Sequence, residues 1–239
     1  MGFQFKQFYI QDDHCAMKVG TDSILLGSWV GLEAVQTVLD MGCGCGILSL
    51  MLAQRLQQQP HFMISALEIE RNAYQQACDN ILQSPWAQHI AVFHDDVAAF
   101  ANKNTQQFDL IVANPPYFPA GIACRAQARD TARYVGHSAL RSHLDWLLCA
   151  KTMLRCSGAI ALVLPYDAGL KLLTQSAVHQ LHCIERVDVA TTVQKSPSRM
   201  LLRFAMQPKA CIHRALVIHA GDDYSADYRQ LTRAFYLRF

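Results

Sequence analysis

The chain has 239 residues, of which 51% are hydrophobic and 17% charged, so it is long and apolar enough to bury the core of one enzyme domain. It has no apolar run near the roughly 18 to 20 residues that a membrane-spanning helix needs and no signal-peptide pattern, so we expect a cytoplasmic protein without a membrane partner. The net charge of +2 does not by itself indicate a nucleic-acid partner, and nine cysteines without a Cys-x-x-Cys pair indicate reduced thiols and no metal site.

A short strand-rich segment comes first and leads to residues 18–22 (Lys-Val-Gly-Thr-Asp), where a helix begins. Thr21 or Asp22 is a candidate N-cap for this helix, because short polar side chains at that position accept hydrogen bonds from its first N–H groups. The other interpretation is that the turn folds over a bound cofactor, with Thr21 and Asp22 as contacts. We treat residues 1–36 as an extension packed near the cofactor site and residues 1–239 as one domain.

The next elements are a strand over residues 37–41, a glycine-rich loop and a helical pattern over residues 47–57. Gly42, Gly44 and Gly46 allow a tight turn and let the backbone approach a ligand at the helix N-terminus. The spacing Gly-x-Gly-x-Gly differs from the dinucleotide fingerprint Gly-x-Gly-x-x-Gly. We therefore expect a nucleotide-like ligand that is S-adenosylmethionine rather than NAD.

Three carboxylates lie at the ends of successive predicted strands. In resembling folds, carboxylates spaced like Asp40 and Glu68 bind the methionine ammonium group and the ribose hydroxyls of the cofactor. Asp96 follows the third strand and is the candidate acceptor for the adenine amine. Solvated strand ends are the alternative for all three, and the neighbours Glu70 and Asp95 leave open which acid of each pair contacts the cofactor.

An apolar strand over residues 108–113 runs directly into Asn114, Pro115, Pro116 and Tyr117. The prolines lack N–H donors and fix φ, so the chain leaves the sheet in an extended turn whose carbonyls face outward. The Asn114 side-chain oxygen and the Pro115 carbonyl can then each accept one hydrogen of a planar NH2 group, which frees the nitrogen lone pair for attack. Tyr117 offers a face for a stacked base. A proline-rich surface turn is the alternative; downstream of the glycine loop, we interpret this segment as the active site of an amino-group methyltransferase.

Charge is unevenly distributed along the chain. Residues 1–116 carry five Lys and Arg against eleven Asp and Glu, whereas residues 117–239 carry sixteen against eight. This asymmetry fits a polyanionic substrate that approaches from the basic half.

Two clusters in the basic half are candidate RNA contacts, and a solvated surface is the alternative for both. In the first cluster a basic residue occurs at every fourth position, so its members share one face wherever the segment is helical. Its members are Arg125, Arg129, Arg133, His137 and Arg141. The second lies at a predicted hairpin tip and includes Lys195 and Arg199.

Helical and strand patterns alternate along the rest of the chain, which predicts an α/β fold with a parallel sheet covered on both faces. Strands over residues 185–193 and 200–206 are joined by too few residues for a crossover helix, so one of them must run antiparallel. We predict a seven-stranded, mostly parallel sheet with one antiparallel strand. Residues 216–218 are a candidate edge strand and residues 228–237 a candidate C-terminal helix.

Four segments together resemble the bacterial valine-tRNA adenine-N6 methyltransferases: residues 18–22, the Asn-Pro-Pro-Tyr-Phe turn, residues 199–202 and residues 235–239. The likeness covers nearly the whole chain. It implies the Rossmann-like class I methyltransferase fold, S-adenosylmethionine as cofactor, and methylation of adenine 37, next to the anticodon, so the expected partner is the anticodon loop of tRNA. No obligate protein partner is evident.

The resemblance also implies roles for two motifs. Residues 114–117 match the family's catalytic turn, and the three loop glycines match its cofactor loop, although Cys43 and Cys45 are unusual fillers there. The turn is shared with wider relatives, so it indicates the reaction better than the substrate.

Other classes remain as alternatives. Release-factor glutamine methyltransferases share the turn but carry a sizeable helical domain before the cofactor loop, and only about 36 residues precede the loop strand here. DNA adenine methyltransferases usually need an added recognition domain, for which there is no room. A non-catalytic RNA-binding module would not require the glycine loop and the catalytic turn together. We therefore expect an RNA adenine methyltransferase.

Overall fold

The structure, a computed structural model, describes residues 2–116 and 140–239. The strands within these ranges are β1 (Gly2–Gln4), β2 (Tyr9–Gln11), β3 (Thr37–Met41), β4 (Met63–Glu68), β5 (Ile90–His94), β6 (Phe108–Ala113), β7 (Leu154–Pro165), β8 (His182–Thr192), β9 (Arg199–Ala205), β10 (Ile212–Ala220) and β11 (Asp223–Tyr224). The α-helices are α1 (Thr21–Trp29), α2 (Ile47–Leu56), α3 (Arg71–Leu82), α4 (Val97–Lys103), α5 (His143–Thr152), α6 (Tyr166–Ser176) and α7 (Ala226–Thr232).

Nine strands form one sheet in the order β11-β10-β8-β9-β7-β6-β3-β4-β5. Strand β9 runs antiparallel to both of its neighbours and β11 runs antiparallel to β10, whereas the other pairs are parallel. The mostly parallel α/β sheet and the reversed strand near residue 200 are therefore confirmed. The carboxyl ends of β3 to β8 and β10 share one edge of the sheet with the start of β9, and we call this the catalytic edge.

The sheet has two more strands than the seven we predicted. Strand β10 is longer than the edge strand that we predicted from the apolar run at residues 216–218. The extra length comes from backbone hydrogen bonds with β8, which pair Ile212 with Glu185 at one end and His219 with Thr192 at the other. Most of its side chains stay exposed or half-buried, so no hydrophobic alternation marks its length.

Helices cover both faces of the sheet. On β3, the neighbouring residues Val38 and Leu39 are both fully buried, one against the layer of α1, α2 and α7 and the other against the layer of α5 and α6. Central strands buried on both faces appear in sequence as continuous apolar runs, and this is why they were predicted well. No helix in the described part of the chain is long and apolar enough to cross a membrane.

The N-terminal strands β1 and β2 form a small antiparallel sheet that packs on the C-terminal segment. The Lys6 Nζ donates to the backbone carbonyls of Arg233 and Phe239, both at 2.7 Å. Asn80 on α3 exchanges hydrogen bonds with the backbone of Gln11 and also donates to a carbonyl of the glycine loop. The extension is thus tied to the loop that precedes α2.

Candidate active site

The glycine loop joins β3 to α2 at the catalytic edge. Gly42, Gly44 and Gly46 have φ values of 73°, 56° and 86°, in the left-handed region that favours glycine. A Cβ on Gly42 would lie 3.0 Å from the Trp146 ring, so the loop is packed on that side. A Cβ on Gly44 would meet no heavy atom within 4 Å, so the backbone is open there to a ligand.

Glu68, at the end of β4, lies directly beside this opening. Its Oε2 accepts a hydrogen bond from the Gly44 N–H at 2.9 Å, and its Oε1 accepts one from the Glu70 N–H at 2.8 Å. Burial raises the pKa of Glu68, and these two hydrogen bonds oppose the shift. Glu70 instead caps α3 by accepting from Ala73, so the geometry favours Glu68 as the ligand-facing acid.

Asp40, on β3, is fully buried (0% exposed). Its Oδ2 accepts hydrogen bonds from the Ser49 N–H at 3.1 Å and the Ser49 hydroxyl at 2.7 Å, while its Oδ1 has no partner among the described residues. Burial raises the pKa of Asp40 to about 7, and the bonds from Ser49 oppose the shift. A buried carboxylate oxygen without a donor is costly and is satisfied best by a cation or donor brought by a ligand.

Asp95 and Asp96 follow β5 and both have structural partners. Asp96 caps α4, where its Oδ1 accepts from the Ala98 and Ala99 N–H groups at 3.0 Å. Asp95 forms an ion pair with Lys103 at 2.7 Å. The cap uses one carboxylate oxygen of Asp96. The contact of Asp96 with the cofactor's adenine stays a prediction.

These residues fit S-adenosylmethionine. The cofactor carries an ammonium group, a ribose diol and an adenine, and the edge offers an unpartnered carboxylate oxygen on Asp40, the carboxylate of Glu68 and an open stretch of backbone at Gly44. Carboxylates are suited to the cation and to the hydroxyls, and bare backbone lets a ligand come close.

The catalytic turn leaves β6 at Asn114 and is held from two sides. The Asn114 Nδ2 donates to Ser23 Oγ on α1 at 3.2 Å, and Ser23 is only 8% exposed. On the other side, the ring of His143, the first residue of α5, makes a hydrogen bond to the Pro116 carbonyl. Burial lowers the pKa of His143, and this bond opposes the shift. Tyr117 lies outside the described residues.

The turn carries two groups that can accept hydrogen bonds from an amine, the Asn114 side-chain oxygen and the Pro115 carbonyl. Because the amide nitrogen of Asn114 is engaged by Ser23, its side-chain oxygen is the group left to accept a hydrogen bond. Neither the Asn114 oxygen nor the Pro115 carbonyl titrates near neutral pH, so both are suited to orient and polarise an amine rather than to act as a base.

The start of α1 differs from our prediction. The N-cap is Gly20 in an extended conformation, without a side-chain cap bond, and Thr21 and Asp22 lie in the first turn. Neither therefore caps the helix. The Asp22 carboxylate is instead drawn to Arg199, whose Nε donates to both of its oxygens at 3.0 Å.

The proposed RNA contacts are only partly described. The connection between β8 and β9, over residues 193–198, lies at the catalytic edge as the predicted hairpin tip, and Lys195 is exposed on it. Arg199 is engaged with Asp22. Arg141 is exposed and precedes α5, which Ser142 caps. The remaining members of the first cluster, Arg125, Arg129, Arg133 and His137, lie outside the described residues.

Three contact residues were missed from the sequence: Ser23, His143 and Trp146. Each lies on a helix far along the chain from its partner, and Ser23 is 91 residues from Asn114. No local spacing marks such a contact. The only available signal was that Ser23 directly follows the Gly-Thr-Asp segment already assigned to the site.

Comparison with known proteins supports the same chemistry. The chain matches the methyltransferase small domain over residues 14–188. It is 48% identical to the tRNA1(Val) (adenine(37)-N6)-methyltransferase of Haemophilus influenzae (strain 86-028NP) over 100% of this chain and 99% of the relative. The enzyme of the same name from Histophilus somni (strain 2336) is 44% identical over 99% of this chain and 98% of the relative.

Among solved structures, the fold resembles a predicted O-methyltransferase from Agrobacterium tumefaciens, with a TM-score of 0.67 and 17% identity. The match covers 90% of this chain and 96% of the other. At this identity the likeness shows a shared fold, which agrees with the class I methyltransferase architecture of the sheet.

Proposed function

The chain belongs to the family of tRNA1(Val) (adenine(37)-N6)-methyltransferases, and from this premise we propose that it transfers the methyl group of S-adenosylmethionine to N6 of adenine 37 in valine tRNA. The observation that carries the proposal is the geometry of Asn114. Its amide nitrogen is held by Ser23 at the end of β6, and the glycine loop starts at the end of the neighbouring strand β3, so the Asn114 oxygen is an available acceptor at the same edge of the sheet.

The cofactor supplies an electrophilic methyl group when it is bound. Asp40 is suited to its ammonium group, Glu68 to its ribose hydroxyls and Asp96 to its adenine amine. Gly42, Gly44 and Gly46 would bring the backbone close to it, with Thr21 and Asp22 at the rim of the site and Asn114 adjacent. This assignment rests on the open backbone at Gly44 and on the buried carboxylates beside it.

The catalytic turn acts on the adenine amine. The Asn114 side-chain oxygen and the Pro115 carbonyl accept its two hydrogens, Pro116 fixes the shape of the turn, and Tyr117 stacks on the base. These contacts localise the lone pair on N6 and align it for direct in-line attack. The new N6–CH3 bond would form as the sulfonium S–CH3 bond breaks, with S-adenosylhomocysteine as the leaving group and the surplus N6 proton passing to water, so no covalent enzyme intermediate is needed.

The substrate partner is the anticodon loop, because an unpaired base turns out of its stack at little cost. Lys195 contacts phosphate from the connection between β8 and β9. Arg125, Arg129 and Arg133 complete the RNA contacts that we propose, whereas Arg199, which the sequence also suggested as a contact, is paired with Asp22. We place the reaction in the cytoplasm. We also treat the chain as a single domain, because nine of its described strands form one continuous sheet.

The test is transfer of labelled methyl from S-adenosylmethionine to four substrates in parallel: valine tRNA transcript, the same transcript with guanine at position 37, duplex DNA and a release factor. We expect N6-methyladenosine from the first transcript alone. Label in release-factor glutamine or in DNA would overturn the substrate assignment while leaving the methyltransferase chemistry in place. Equal labelling of the two transcripts would reject position 37.

A further inference from the structure

An ion pair at the catalytic edge joins two segments that lie 177 residues apart in sequence. Arg199 is the first residue of β9 and lies opposite Pro165, the last residue of β7, in the antiparallel ladder. From there its Nε donates to both carboxylate oxygens of Asp22 at 3.0 Å. The side chains are 33% and 18% exposed, so the pair is partly shielded from water.

Asp22 lies in the first turn of α1, just before the buried residues Ser23 to Ser28 that pack this helix into the core. The N-cap Gly20 has no side chain with which to hold the start of this turn. The ion pair with Arg199 therefore adds a polar contact between the start of α1 and a strand of the central sheet. Strand β9 is suited to anchor it, because β9 is hydrogen-bonded on both sides within the sheet.

The residue after Asp22 is Ser23, which accepts the hydrogen bond from Asn114 at 3.2 Å. A continuous line of contacts thus runs from β9 through Arg199, Asp22 and Ser23 to the amide of Asn114. Side chains that are linked through shared partners in this way are energetically coupled, and the coupling can be measured.

We propose that Asp22 and Arg199 act as a positioning pair, which holds the first turn of α1 against the catalytic turn so that Ser23 keeps Asn114 in its reactive orientation. The inference rests on the proposed function. It gives Arg199 a role in aligning the reacting groups, distinct from the phosphate contact that its charge suggested, and it gives Asp22 a role that does not require contact with the cofactor.

The experiment compares Asp22→Ala, Arg199→Ala and the double variant, each in the full chain, with valine tRNA transcript as substrate. Single-turnover rate, KM for tRNA and the Kd of S-adenosylmethionine are measured at several salt concentrations, and thermal unfolding verifies that each variant is folded. The matched control is Arg155→Ala, which breaks an Arg–Asp pair of similar exposure (45% and 15%) with Asp109 at the opposite edge of the sheet.

We expect each single variant to lower the rate about tenfold and the double variant to lose no more than either one, because both remove the same interaction. The salt dependence of KM should stay that of the wild type, and Arg155→Ala should match the wild type. Arg199→Lys should recover part of the rate, since it keeps the charge without the guanidinium geometry. If the alanine variants do not fold, Arg199→Lys and Asp22→Asn provide the same comparison.

Four results would overturn the inference. A salt slope that falls by about one in Arg199→Ala, with Asp22→Ala unaffected, would make Arg199 a phosphate contact. A weaker cofactor affinity confined to Asp22→Ala would make Asp22 a direct cofactor ligand. Losses that multiply in the double variant would mean that the two residues act independently. No loss in any variant would mean that the pair does not position Asn114. If the wild-type protein does not methylate the valine tRNA transcript, the proposed function itself fails. That failure is distinguishable from a failure of the inference, which is seen only in the variants.

Discussion

The amide nitrogen of Asn114 donates a hydrogen bond to the hydroxyl of Ser23 at 3.2 Å, which connects the catalytic turn to helix α1. A free asparagine side chain can rotate and can present either its nitrogen or its oxygen to a substrate. With the nitrogen engaged, the oxygen stays available to accept a hydrogen bond from the adenine amine, as we propose. On that proposal, the position of α1 is part of the catalytic geometry.

Ser23→Ala removes this hydrogen bond without disturbing the turn itself. We expect the single-turnover rate to fall about tenfold and the free energy of unfolding to fall by about 1 kcal/mol, because one buried hydrogen bond is lost. Ser28→Ala is the matched control, since Ser28 is equally buried on the same helix and its hydroxyl has no hydrogen-bond partner among the described residues. A rate for Ser23→Ala equal to that of Ser28→Ala would show that Asn114 is oriented by other groups.

Asn114→Ala should abolish methyl transfer, with a loss of at least about a hundredfold in rate, because the acceptor that localises the amine lone pair is gone. Cofactor affinity should stay nearly unchanged, since the carboxylates and glycines proposed to bind the cofactor are untouched. Quenched-flow transfer assays and calorimetric titration with S-adenosylmethionine measure the two quantities separately. Near-normal turnover in this variant would remove Asn114 from the mechanism.

Gly44→Ala tests the cofactor loop. The residue has φ of 56°, where an L side chain costs about 1 to 2 kcal/mol, and the new methyl group would project into open space beside Glu68. We expect a modest loss of stability and a large loss of affinity for S-adenosylmethionine.

Gly221→Ala separates these two effects. Gly221 has φ of 65° and equally open surroundings, but it lies in the turn after β10, which four intervening strands separate from β3. Its substitution should cost similar stability and leave the cofactor Kd unchanged. If both variants bind the cofactor like the wild type, Gly44 does not line the site.

The sequence predicted those parts of the molecule that are encoded locally. The Asn-Pro-Pro-Tyr turn and the glycine loop are contiguous, and each follows a buried strand that is a plain apolar run. The contacts of Ser23 with Asn114 and of Asp22 with Arg199 join distant segments, so no spacing in the sequence reports them. Polar residues near a helix start predict a cap, but α1 begins at Thr21 with Gly20 as its N-cap, so Asp22 lies inside the first turn and its carboxylate pairs with Arg199.

If Asp40 binds the cofactor as we propose, cofactor binding should depend on pH. Its pKa in the folded protein is about 7 instead of the usual 3.8, so near neutral pH the carboxyl is partly protonated. If its unpartnered oxygen meets the cofactor's ammonium group, binding favours the ionised form and releases a proton. We expect the affinity to rise as pH increases through about 7, and calorimetry in buffers of different ionisation enthalpy measures the released proton.

The same group affects stability in the cofactor-free protein. Because the folded state holds this proton more tightly than the unfolded chain, the contribution of Asp40 to stability is lost as pH rises from about 4 to about 7. Asp40→Asn should remove this pH dependence and the proton release together, leaving any contribution from the neighbouring Glu68, whose pKa is also raised. Proton release that persists in Asp40→Asn would assign it to another group.

Lys195 and Lys209 provide a paired test of the RNA surface. Both are exposed, but Lys195 lies between β8 and β9 at the catalytic edge, whereas Lys209 lies between β9 and β10 at the opposite edge. If Lys195 neutralises one phosphate, Lys195→Ala should raise KM for tRNA, leave the rate at saturation unchanged and reduce the salt slope of binding by about one. Lys209→Ala carries the same loss of net charge and should change none of these quantities. Equal effects from the two variants would mean that the tRNA responds to the overall charge of the protein, because a contact that depends on position must distinguish the two edges of the sheet.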